Sequence, residues 1–241
     1  MKPREVIDRS ATPDGEVLEL AKEAGHFVLR LAGVPLMSSA THGSEEAMAL
    51  AAAECLGARA STATVLVGGL GMGFTLRAAL DAFGPQAKLT VAELLEAVVR
   101  YNRDIFGDLA QRPLDDPRVT LHAGDVRKVL GVGRWDAILL DVDNGPEAFT
   151  TRANGSLYGR EGVQVMAQAL KPGGVIIIWS AHQSPTFERT VRAAGLHCEA
   201  RPVRARPAAR KGPRHTLFLL RSRRVQIAPK TDNGRLKQAD S

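Results

Sequence analysis

The 241-residue sequence predicts a doubly wound α/β fold, a mostly parallel sheet with helices on both faces, and three observations carry that reading. From Thr62 onward, apolar strand-like runs alternate with helix-like stretches. One of those runs, Thr64-Val-Leu-Val-Gly-Gly-Leu-Gly-Met-Gly-Phe74, breaks into glycine at positions 69, 71 and 73. A further run, Ala87 to Glu93, ends in a carboxylate 24 residues after Gly69.

The glycine run is the most informative of the three. Gly69, Gly71 and Gly73 have no Cβ, so the backbone there can turn sharply and lie against a ligand. A helix-like stretch, Phe74 to Phe83, follows at once and brings backbone N–H groups and the positive end of a helix dipole to the same place. This predicts a site for a nucleotide-like cofactor, although a turn needed only for tight packing would be spelled the same way. In a Rossmann-like sheet, an acid at the carboxyl end of the second strand accepts hydrogen bonds from ribose hydroxyls, which makes Glu93 the ribose-binding candidate.

Taken in order, Glu16 to Lys22, His26 to Leu31 and Val34 to Met37 read as short strands joined by the turns Ala24-Gly25 and Ala32-Gly33. They form a small β-region over residues 1–43. Ser44 to Leu56 has a helical pattern with Ser44 as N-cap and Glu45 and Glu46 in its first turn. The nucleoside-binding domain is expected over residues 44–222, with strands at Thr64–Val67, Lys88–Glu93, Val119–Ala123, Ala137–Asp141 and Val175–Ser180. Helices begin near Phe74, Leu94, Val126 and Arg160, and another covers Gln183–Ala194. Cys198–Val203 and His215–Leu220 read as a C-terminal antiparallel hairpin joined by a basic loop, and residues 223–241 as a disordered polar tail.

Composition narrows the classes. Forty-four per cent hydrophobic residues suffice for a full core. No apolar run approaches the length of a membrane span and Met1 opens no charged-then-apolar leader, so a soluble cytoplasmic protein with no membrane partner is expected. Cys55, Cys198 and the histidines show no metal-ligand spacing, so no metal is expected. The net charge of +6 is concentrated late: eight arginines and Lys211 fall between Arg201 and Arg224 with no Asp or Glu among them. Such a stripe could meet phosphate, but aromatic residues for base stacking are scarce, and a solvated hairpin is the preferred reading over a nucleic-acid partner.

Several motifs occur in one order: Gly69-Leu-Gly-Met-Gly73, Glu93, the pair Gly124-Asp125, the segment Asp136-Ala-Ile-Leu-Leu-Asp141-Val-Asp143-Asn-Gly-Pro146, Ser156-Leu-Tyr158, and Leu170-Lys-Pro-Gly-Gly-Val175. On these the chain from about Ser44 to Leu220 resembles the spermidine/spermine synthase family, a branch of the class I S-adenosylmethionine-dependent methyltransferase fold. The resemblance implies a co-substrate, S-adenosylmethionine or its decarboxylated form, held by the glycine loop, with Glu93 on the ribose and Asp125 on the adenine. Asp125 also stands where a helix N-cap is needed, and one residue can do both.

The same resemblance makes Asp141 the general base that deprotonates a small acceptor amine, and gives Asp143 and Tyr158 to substrate binding, Asp143 on a distal ammonium. Three departures bear on the substrates, the first being that the segment after Asp141 is one residue shorter than the family's pattern and has Asp143-Asn144 in place of its Asp-Pro. Met72 stands where the family carries an Asp that binds the primary amine of the decarboxylated donor, and a Tyr-His-Glu signature appears only loosely around Thr41-His42-Gly-Ser44-Glu45-Glu46.

The leading function is therefore aminopropyl transfer from decarboxylated S-adenosylmethionine to a small amine. The runner-up is methyl transfer from intact S-adenosylmethionine to a small molecule, followed by RNA methylation and by a non-catalytic nucleoside binder. The acceptor is left open, as is the oligomeric state, a homodimer among the options.

Overall fold

The computed structural model describes residues 4–142, 145–146, 156–205 and 213–222. Four strands come first: β1 (Glu5–Ala11), β2 (Val17–Glu23), β3 (His26–Leu31) and β4 (Val34–Ser38), paired antiparallel in sequence order. The turns between β2 and β3 and between β3 and β4 are two residues long. Ala24 and Gly25 in the first, and Ala32 and Gly33 in the second, all have positive φ, the backbone twist that matches hairpin strands. The sequence predicts three strands here, not four. β1 escapes because most of its residues are exposed and its pattern defines no buried face.

The main sheet has seven strands: β5 (Thr64–Gly68), β6 (Lys88–Glu93), β7 (Val119–Ala123), β8 (Trp135–Leu140), β9 (Leu170–Ser180), β10 (Leu196–Arg204) and β11 (Arg214–Ser222). Their order is β10-β11-β9-β8-β5-β6-β7. The pairs from β7 to β9 are parallel, and β11 runs antiparallel between β9 and β10. The predicted parallel sheet with a C-terminal hairpin is thus observed. β8 is buried at every residue, as a central parallel strand covered on both faces must be. β9 begins at Leu170, earlier than the predicted Val175, because Leu170 already pairs with Trp135 across a register shift.

Strand alternation divides the core. Val65, Val67, Ala137, Leu139 and Ile177 point to one face, where they meet helices α1 (Gly43–Leu56), α2 (Phe74–Ala82) and α3 (Glu96–Asp104). Leu66, Ile138, Leu140, Ile176 and Ile178 point to the other, against α4 (Val126–Val132), α5 (Arg160–Ala169) and α6 (Pro185–Ala193). A period of two along each strand is what lets both faces be apolar. Leu18, Leu20, Leu29 and Leu31 of the N-terminal sheet join the first of these cores, so that sheet packs onto the α1–α3 side.

Two helix starts differ from expectation. α1 begins at Gly43 with His42 as its N-cap residue, so Ser44 lies inside the helix and caps nothing. α3 begins at Glu96, two residues after the predicted Leu94, because the Glu93 carboxylate accepts from Leu95 N at 2.8 Å and holds the entry turn open. The basic loop at 206–212 and the predicted tail at 223–241 lie outside the described residues.

Candidate active site

The carboxyl ends of β5, β6 and β8 converge on one region, where ligands bind in open α/β sheets. Gly69 leaves β5 with φ +89°, and its N–H donates to Ala92 O at 2.9 Å. A Cβ on Gly69 would run into the backbone carbonyl of Asp141, whose own N–H donates to Gly68 O at 2.8 Å. Glycine at this position is what allows the loop and Asp141 to lie side by side. Further on, Gly71 O accepts from Asn102 Nδ2 at 2.7 Å, and Gly73, at φ +87°, forms the N-cap of α2.

Glu93 ends β6, is 8% exposed, and spends both oxygens on backbone: Oε2 accepts from Leu70 N at 2.9 Å and Oε1 from Leu95 N at 2.8 Å. Burial pushes its carboxyl above the usual range while these N–H groups oppose the shift. Glu93 therefore clamps the glycine loop to the start of α3. Gly124 N donates to Glu93 O at 2.8 Å, which sets the Gly124-Asp125 pair beside it. Asp125 caps α4, accepting from Arg127 N at 2.8 Å, and the Arg127 guanidinium holds its carboxyl below the usual range.

Asp141 stands one residue past the end of β8 and lines a cavity of about 280 Å³. Met72, Phe74, Trp179 and His215 line it too, together with Glu45 from the first turn of α1. The Thr75 hydroxyl donates to Asp141 Oδ2 at 2.6 Å, which favours the ionised form, whereas burial pushes the carboxyl up and prevails. Glu45 is pushed up to about 7 by burial and by the charge of Asp141. Two carboxylates lining one cavity, one of them raising the cost of ionising the other, make a receptor for one cation or one shared proton. Among the described residues, the indole Nε1 of Trp179 has no hydrogen-bond partner.

The glycine loop, Glu93, Asp125 and Asp141 are thus brought to one end of the sheet. Tyr158 is buried against Phe187 and donates its hydroxyl to Val142 O at 3.2 Å, beside Asp141 but outside the residues lining the cavity. Asp143 lies outside the described residues. Sequence reasoning missed Thr75, Trp179 and His215, which carry no motif, and saw Glu45 only as a first-turn acid and in a loose signature. A larger recess of about 820 Å³ opens between the β1–β2 hairpin and α3 and shares no lining residue with the Asp141 cavity. Among the described residues, no cluster of three or more His, Cys, Asp and Glu could hold a metal ion, and no helix is long and apolar enough to cross a membrane.

Putrescine N-methyltransferase 1 of Nicotiana tabacum is 35% identical over 126 residues, covering 50% of this chain and 31% of that protein. The polyamine aminopropyltransferase of Nitrosomonas europaea is 33% identical over 111 residues, covering 44% of this chain and 31% of that protein. The match thus spans about a third of the length of these curated relatives. Among solved structures, spermidine synthase from Thermotoga maritima superposes with a TM-score of 0.67 at 17% identity, over 89% of this chain and 72% of that one. That likeness establishes the class I methyltransferase-like fold. The spermine/spermidine synthase domain model matches residues 50–195, which includes the glycine loop, Glu93, Asp125 and Asp141, and since that stretch exceeds half of the chain, the protein belongs to the spermine/spermidine synthase family.

Proposed function

We propose that this protein transfers an aminopropyl group from decarboxylated S-adenosylmethionine to a small amine. The observation that carries this reading is the pair of carboxylates, Asp141 and Glu45, in one small cavity beside the glycine loop. An amine reaches such a site as an ammonium and is held by the negative charge. It must shed one proton before its nitrogen can attack the carbon next to the donor's sulfonium. A carboxylate whose affinity for protons has been raised by burial takes that proton more readily than an ordinary one. Asp141 is the general base in this reading, and Glu45 balances the ammonium.

The glycine loop from Gly69 to Gly73, whose three glycines all have positive φ, is assigned to the nucleoside donor, with Glu93 and Asp125 flanking it. Asp143 is assigned to a distal ammonium, and Tyr158 supports the Val142 carbonyl next to the base. One observation favours a second reading. Met72 lines the cavity where an acid would be needed to pair the primary amine of the decarboxylated donor, and a thioether cannot pair an ammonium. Intact S-adenosylmethionine carries its own carboxylate beside that ammonium, so methyl transfer to the same amine depends less on an acid at this position.

Calorimetry with S-adenosylmethionine, its decarboxylated form and methylthioadenosine, followed by mass analysis of the product formed with a linear diamine, tests both. Preference for the decarboxylated donor and a product heavier by an aminopropyl group supports the first reading. Preference for the intact donor and a methylated product replaces it with the second.

A further inference from the structure

Amine transfer releases one proton per turnover whichever group moves. The ammonium loses an N–H proton, the freed electron pair forms the new N–C bond, and the C–S pair stays on sulfur as a neutral thioether. That proton starts in a recessed cavity, and the base must lose it before the next cycle. A hydrogen-bonded chain runs along the wall of that cavity from Glu45 to His215, both of which line it. Ser44 Oγ donates to Glu45 Oε2 at 2.6 Å, and Ser44 Oγ itself lies 2.9 Å from His215 Nδ1. Ser44 is 1% exposed. His215, on β11, is partly exposed and stands edge-on to Trp179 with ring centroids 4.6 Å apart.

We propose that Glu45, Ser44 and His215 form the exit path for the proton released at Asp141, an inference that rests on the amine-transfer reading but not on which donor is used. The leg from Asp141 to Glu45 crosses the cavity both residues line, where the amine sits. From Glu45 outward the hydrogen bonds are already formed. A serine hydroxyl can accept a proton on a lone pair while passing its own onward, and an imidazole can accept on Nδ1 and release from Nε2.

The electrostatics suit a relay. Glu45 faces Asp141 across the cavity and has Glu46 beside it on α1, and the charge of Asp141 together with burial brings it to about 7, where it both takes and yields protons near neutrality. His215 meets Ser44 from α1, Trp179 from β9 and the charge of His182 from the segment after β9. Burial and His182 hold it below its ordinary value, so it gives a proton up readily. Thr75 from α2 is the neighbour that steadies the charge on Asp141. Ser44 is free for this task because it does not cap its helix.

The same contacts could serve only to clip α1 to β11, and the test separates the two roles. Ser44→Ala and His215→Gln are expected to lower kcat roughly tenfold in dilute buffer with KM for donor and amine unchanged, and raising the concentration of imidazole buffer should restore the rate. Ser44→Thr, which keeps the hydroxyl, should behave as wild type and also serves if Ser44→Ala folds poorly. Wild-type rates in His215→Gln, or losses that imidazole does not relieve, overturn the path. A readout independent of turnover is the His215 titration followed by NMR. Glu45→Gln removes a negative charge one hydroxyl away and should lower its midpoint, and an unchanged midpoint overturns the coupling. If the midpoint moves but no donor yields a product, the transfer reading has failed and the proton exit falls with it, whereas transfer without coupling sinks the path alone.

Discussion

The Thr75 hydroxyl donates to Asp141 at 2.6 Å, so the first turn of α2, directly behind the glycine loop, helps to set the basicity of the carboxylate that follows β8. Burial raises the proton affinity of Asp141 and this bond lowers it. The helix that opens from the loop proposed to hold the donor therefore reaches the proposed base, and a change in one is felt by the other.

Thr75→Val keeps the shape of the side chain and removes the bond to the ionised form. Asp141 should then bind its proton more tightly, so the acidic limb of the kcat profile should move to higher pH while the plateau rate changes little. Asp141→Asn retains an acceptor for Thr75 and should keep donor affinity while lowering turnover by roughly 10²–10⁴-fold. Wild-type turnover in Asp141→Asn across neutral pH would remove it as the base.

Glu45 supplies a prediction about stability. Its carboxyl titrates at about 7 in the folded protein against an ordinary value of 4.5, so the fold prefers the protonated form. That contribution is fully present below the ordinary value and is lost as pH rises through about 7, amounting to at most on the order of 3 kcal/mol. Urea unfolding at about pH 5 and about pH 8 should show wild type losing stability between them and Glu45→Gln losing much less. Parallel losses in both proteins would count against a buried Glu45.

Glu93→Ala should weaken donor binding by about 1.5–3 kcal/mol, the range for a charge-assisted hydrogen bond, as read by calorimetry. The structure adds a second effect. Because the carboxylate accepts from both Leu70 N and Leu95 N, the variant should also unfold at lower temperature. A thermal shift without any loss of affinity would make Glu93 a brace for the loop and nothing more.

Asp125→Ala should cost about 0.5–2 kcal/mol through loss of the α4 cap, whereas Asp125→Asn should keep most of that stability because asparagine caps equally well. If Asp125 also meets the adenine, both variants should bind the donor more weakly. Donor affinity that follows stability alone would assign the residue to the cap.

The order of apolar runs was enough to predict the doubly wound sheet, because a strand buried on both faces cannot carry charge, and β5, β6, β8 and β9 carry it only at their ends. The glycine spacing, Glu93 and Asp141 were legible for a similar reason. Each sits at a strand end where backbone geometry restricts the residue type, as the close approach of Gly69 to the Asp141 carbonyl makes plain. β1 was not legible, since an outer strand with little burial leaves no hydrophobic period.

What the tertiary structure decided was the company Asp141 keeps. Glu45 lies 96 residues before it, and His215 171 residues after Ser44, so no local pattern joins them. Sequence favoured Ser44 as a helix cap because serine is a good one, but in the fold His42 takes the capping position and the hydroxyl turns to Glu45 and His215. A local preference of that size, about 1 kcal/mol, is easily outweighed once packing of α1 against β9 and β8 fixes where the side chain can find partners. The sequence by itself determined which residues could form the sheet and its glycine loop, because those follow from local backbone limits and burial; the cavity's second carboxylate and its hydrogen-bonded link to His215 exist only because the folded sheet brings distant segments within hydrogen-bonding range.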